Sequence, residues 1–135
     1  MGFLTSYKQL EKLCGERLKD NRCISAYIDQ MQKTTRGASL VPGWDADLKK
    51  LKHYRWIRNQ LAHEPGCTEK NMCRPEDTRW LNTFRNRVLN YRDPLSLYRK
   101  KSLEKKRSRS IVPLLILCIL LAAILTVLVW DAWIA

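Results

Sequence analysis

The chain has 135 residues, with 25 Lys plus Arg against 13 Asp plus Glu and a formal net charge of +12. Its apolar share, 45%, is unevenly placed: Ile111 to Trp130 is a run of twenty residues with no charge and Thr126 as its one polar side chain. As a helix that run spans about 30 Å, a bilayer's hydrocarbon thickness, which excludes an ordinary soluble protein; the remaining residues, about 110, suffice for one modest core and not for two domains.

In chain order, Leu4, Tyr7, Leu10, Cys14 and Leu18 recur at spacings of three and four, which predicts a helix over residues 3–20, ended by Asp20 and Asn21. Ile24, Tyr27, Ile28 and Met31 predict a second, shorter helix. Thr34 to Gly43, with Gly37, Pro42 and Gly43, reads as a loop. Asp45 is placed to cap a third helix that carries Leu48, Leu51, Tyr54, Ile57 and Leu61 on one face and stops at Glu64-Pro65-Gly66. A polar loop runs to Pro75; Trp80, Leu81, Phe84 and Val88 then mark a fourth helix, broken at Asp93-Pro94. The expected fold is all-α: a small antiparallel four-helix bundle over residues 1–94, a basic juxtamembrane linker over 95–110, and one C-terminal transmembrane helix over 111–133. Trp44, Tyr54, Trp56, Trp80 and Phe84 fit helical stripes and are expected in the core rather than as base-stacking platforms.

The segment Arg99 to Arg109 carries seven cations and one acid directly before the apolar run. Such a block resists translocation, so a single-pass cell-membrane protein with its N-terminal domain in the cytoplasm is expected. Pro113 falls in the first turn of the run, where its missing N–H does no harm, and Trp130 and Trp133 flank Asp131 at the far end, where indoles favour the headgroup region. Met1 to Lys12 reads as amphipathic and not as a secretory leader. Five cysteines, one of them (Cys118) inside the apolar run, speak against a disulfide framework. Residues 1–98 still hold 18 cations against 11 acids, a surplus that suits anionic lipid, nucleic acid or another acidic partner. Met1-Gly2-Phe3-Leu4-Thr5-Ser6 formally matches a myristoylation pattern, although a second anchor is not required.

The third predicted helix ends in Arg58-Asn59-Gln60-Leu61-Ala62-His63. This stretch resembles the Arg-(Asn/His/Asp)-xxx-His signature of the HEPN superfamily, small helical bundles that include many metal-independent endoribonucleases. The resemblance implies a four-helix layout over about residues 3–92, catalysis by Arg58, Asn59 and His63 without cofactor or metal, RNA as substrate, and a homodimer that unites two motifs in one cleft. Chemically, a guanidinium grips a phosphate through paired hydrogen bonds, and an imidazole exchanges protons with a ribose 2′-hydroxyl or a leaving oxygen. Along a helix, five residues amount to ~500°, so Arg58 and His63 project ~140° apart; they converge only if the last turn loosens or a second subunit supplies the other half. A shared surface around Ile57, Arg58 and Leu61 is therefore expected. The same Arg and His also complement the negative end of a helix without catalysis, which leaves a non-catalytic tail-anchored adaptor, binding a protein or acidic partner, as the alternative. His63, Cys67 and Cys73 lack the usual paired-cysteine spacing of zinc sites, and no Gly-rich phosphate loop, nucleophile elbow or dinucleotide fingerprint is present.

Overall fold

A computed structural model describes residues 2–135, and among them every regular element is helical. The elements are α1 (Phe3–Leu18), α2 (Ile24–Lys33), the single turn α3 (Gly37–Leu40), α4 (Trp44–His63), the single turn α5 (Glu69–Met72), α6 (Pro75–Leu89) and α7 (Pro94–Ile134). The chain divides into two compact units, Met1–Arg99 and Lys100–Ala135.

In the first unit α1, α2, α4 and α6 form the four-helix bundle. The predicted stripes become its core: Tyr7, Leu10 and Cys14 from α1, Ile24, Tyr27, Ile28 and Met31 from α2, Leu51, Tyr54 and Ile57 from α4, and Leu81, Phe84 and Val88 from α6 are all buried. The two expected loops each hold a helical turn, α3 and α5, and Val41 adds to the core from just beyond α3. The start of α4 corrects the sequence reading. Its N-cap is Gly43, in the left-handed region at φ 77°, not Asp45, which lies exposed in the first turn, where a carboxylate favours the positive helix end.

The main partner of α1 is α6, and the two run in the same direction, which corrects the expected antiparallel order for this pair. Arg85 of α6 donates to Gln9, and further along both helices Arg17 Nη2 donates to the carbonyls of Val88 (2.8 Å) and Leu89 (3.2 Å) at the end of α6. The Arg17 guanidinium thereby satisfies open carbonyls at a helix C-terminus, and its other contact is the Tyr91 ring, 3.6 Å from the centroid. By contrast α4 and α6 run antiparallel: early in α4, Asp47 pairs with Arg87 near the end of α6 at 2.7 Å, and the Tyr54 hydroxyl donates to Asp77, near the start of α6, at 3.0 Å.

The first amides of α1 find their acceptor far along the chain. The Glu69 carboxylate receives the N–H groups of Phe3 (2.9 Å) and Leu4 (3.0 Å), satisfying two donors that no local side chain caps. A Cβ on Gly2 would lie 2.5 Å from Glu69 Oε2, so a larger residue there would require the carboxylate to shift from its capping position. Glu69→Ala is expected to cost about 1–2 kcal/mol, lowering the melting temperature by roughly 4–15 °C; a circular-dichroism melt within a degree or two of wild type would contradict the capping role.

In the second unit the basic segment is helical and continues without interruption into the apolar run. One turn holds ~3.6 residues, so seven cations within eleven positions ring the helix and do not line one face. The apolar side chains beyond are all exposed, and the stretch is long and apolar enough to cross a membrane.

Candidate functional site

Helix α4 carries the Arg58, Asn59 and His63 motif, and its geometry turns Arg58 away from His63. The buried stripe of Leu51, Tyr54 and Ile57 fixes the helix's rotation. Arg58 follows Ile57 by one residue and stays on the core side, half-buried. Its positive charge and that of Arg55 lower the proton affinity of the Tyr7 phenol, while burial first and Glu11 second raise it, and the net result is well above the ordinary tyrosine value. Arg58 Nη1 donates weakly to Asn59 Oδ1 at 3.4 Å. His63 is the last residue of α4 and is exposed; among the described residues no hydrogen bond or ion pair joins it to Arg58 or Asn59. Regular helical rotation therefore puts Asn59 and His63 on one face of α4 and Arg58 ~140° away from His63, with only the weak Arg58–Asn59 bond linking the two sides.

Two expectations about neighbouring residues are corrected. Ile57, expected at a shared dimer surface, is buried in its own bundle. Trp56, expected in the core, is 50% exposed, whereas Trp44, Tyr54 and Phe84 are buried and Trp80 packs at the core's edge. The physical reason lies in the helical phase. Trp56 projects ~180° from the mean of the Leu48, Leu51, Tyr54, Ile57 and Leu61 stripe, so it must face water when that stripe faces the core.

The outward face of α4 thus holds residues that the motif does not include. The His53 ring stacks on Trp56, with centroids 6.0 Å apart and an interplanar angle of 20°. Lys49 and Lys52 precede the pair, Asn59 and His63 follow it, and all are exposed. These six side chains fall within a sector of ~120°, and the acid that shares it is Asp45, at its N-terminal end. The signal was present in the spacing: 49, 52, 53, 56, 59 and 63 form as regular a helical stripe as the core does.

The cysteines are all free thiols. Burial pushes Cys14 up to about 12, and burial followed by the charges of Glu69 and Asp77 pushes Cys73 up to about 11, so neither is predisposed to the thiolate that a metal needs. Among the described residues no three His, Cys, Asp or Glu side chains converge as metal ligands. His63, Cys67 and Cys73 are therefore not assembled into a site.

Together these features define a small all-helical domain followed by a helix of membrane-crossing length. Residues 1–111 match a family of unknown function (DUF6548), and the chain belongs to that family. It matches no curated protein and no solved structure.

Proposed function

We propose that this chain is a membrane-tethered, metal-independent endoribonuclease of HEPN type, active as a homodimer, with the bundle on the cytoplasmic face of the cell membrane. A role as a toxin or defence effector fits such a tethered nuclease. The observation that carries the reading is the placement of His63: exposed, at the end of α4, on the same face as Asn59, in a domain with a cationic surplus. In the reaction the ribose 2′-hydroxyl attacks the adjacent phosphorus. The P–O2′ bond forms, the P–O5′ bond breaks, one group takes the hydroxyl proton and another returns a proton to the leaving oxygen. One chain offers a single Arg58–His63 pair, held on different sides of α4. Two chains about a two-fold axis supply two imidazoles and two guanidinium groups, and confinement to one membrane plane raises their effective concentration. The seven cations before the apolar run support the cytoplasmic orientation.

A second reading is favoured by the inward turn of Arg58, which lies near Tyr7 and whose guanidinium, among the described residues, bonds its neighbour Asn59. On that reading the chain is a non-catalytic tail-anchored adaptor for a protein or acidic partner. The test is to reconstitute the full chain in vesicles with labelled RNA and a chelator. Cleavage that falls by about 10²–10⁴-fold in both Arg58→Ala and His63→Ala supports the nuclease. No cleavage by folded wild-type protein moves the assignment to the adaptor.

A further inference from the structure

We infer that the Trp56–His53 pair is a stacking platform for unpaired bases, so that the RNA bound on α4 is single-stranded. This deepens the ribonuclease reading and rests on it for the presence of RNA. Three observations converge on the pair.

The first is exposure without a covering partner. Tyr91 is also well exposed, but the Arg17 guanidinium lies over its ring, whereas the Trp56 indole meets the His53 ring and remains 50% exposed. The second is ring alignment. With an interplanar angle of 20°, the imidazole holds the indole in one orientation and leaves a flat, electron-rich surface, to which any nucleobase can add as the next ring in the stack. The third is charge. Lys49 and Lys52 stand one to two turns before the indole on the same sector, placed for backbone phosphates, and His63 stands two turns beyond it. From Lys49 to His63 the stripe runs ~21 Å, a length matched to a tract of a few nucleotides.

This chemistry favours a single strand over the other occupants of an exposed indole. Bases in a duplex are stacked on one another and offer no free face. A bilayer interface would want apolar side chains around the indole, and here the neighbours are two lysines, two histidines and an asparagine. An acidic peptide would satisfy the lysines, but its negative charge does not by itself supply a ring to stack on the indole. The platform also gives His63 a role in position: a strand stacked at Trp56 and held by the lysines lies along the helix line that leads to the imidazole.

The experiment uses the full chain in detergent micelles and a fluorescent 12-nucleotide 2′-O-methyl RNA, which lacks the attacking hydroxyl and cannot be cleaved through it. Anisotropy is compared for wild type, Trp56→Ala and Trp56→Phe, with the same sequence annealed into a duplex as a second probe. The expected result is single-strand affinity reduced about 10- to 100-fold in Trp56→Ala and restored to within a few-fold by Trp56→Phe, because an aromatic face suffices. Duplex binding should change little. Equal single-strand affinity in wild type and Trp56→Ala overturns the platform, as does a Phe variant no better than Ala, or no binding of the strand at all. Cleavage of the corresponding unmethylated RNA is read in parallel. Trp56-dependent binding with no cleavage leaves the platform standing and removes the nuclease; cleavage with Trp56-independent binding does the reverse. Trp56 is half in solvent, so circular dichroism should report the same fold for both variants.

Discussion

Asp93→Ala is expected to destabilise the bundle by about 2–5 kcal/mol, the largest effect of any single polar substitution in it. Asp93 is 2% exposed, and its carboxylate accepts the Tyr27 hydroxyl at 2.5 Å and the Ser96 amide at 3.3 Å. It therefore joins two functions. It caps the start of α7, where Pro94 occupies the first helical position, and it satisfies a phenol buried in the centre of the core. Burial first, then the Asp93 charge, hold the Tyr27 phenol well above its ordinary range, so it stays protonated; it donates its O–H to Asp93 and accepts the Leu95 amide at 3.4 Å. Alanine leaves that donor without its carboxylate in a water-free site. The melting temperature should fall by roughly 10–30 °C. Asp93→Asn keeps an acceptor and should lose much less, and Tyr27→Phe in the Asp93→Ala background should recover part of the loss. A melt of Asp93→Ala indistinguishable from wild type would show that the bond does not contribute.

Charge in the middle of the apolar run should have an effect of comparable size on a different property. Leu and Ile at a membrane-helix centre favour insertion by about 0.3–0.6 kcal/mol each, and Arg opposes it by about 2.5–3.5. The double variant Leu117→Arg, Leu121→Arg thus loses about 6–8 kcal/mol of insertion free energy, while the bundle residues are untouched. Wild-type protein should remain in the membrane pellet after alkaline carbonate extraction, and the double variant should leave it. Retention of both in the pellet would remove the anchor from the account. In right-side-out cells, external protease should leave the wild-type bundle intact; its digestion would reverse the proposed orientation.

Much of the fold was legible because apolar spacing of three and four leaves few ways to bury a face. The stripes on α1, α2, α4 and α6 entered the core residue by residue, with Leu4, Leu18, Leu48 and Leu61 at its edge. The relative direction of α1 and α6 was not legible, since it depends on the path taken through α3 and on contacts such as Arg17 to Val88 that no local pattern encodes. The cap of α4 was misplaced because Asp45 is the stronger capping residue by type, while the turn before it needs the positive φ that Gly43 supplies. At the candidate site, the separation of Arg58 from His63 followed from helical rotation alone. Trp56 was misread for a related reason: aromatic character suggested burial, and its phase against Tyr54 and Ile57 dictated the opposite.

The ties that close the bundle also set the order in which it can be assembled. Glu69 reaches back 65 and 66 residues to α1, Arg17 forward 71 to α6, and Tyr27 forward 66 to Asp93. At a synthesis rate of roughly 5–20 residues per second, α1 is complete about 4–14 s before α6 exists to receive it. During that interval Tyr7 and Leu10 have no permanent neighbour from α6, and the nascent chain carries an apolar helix face that only later residues can cover. Made before its partners, α1 is among the last helices to be locked in place, and its sequence must tolerate the wait.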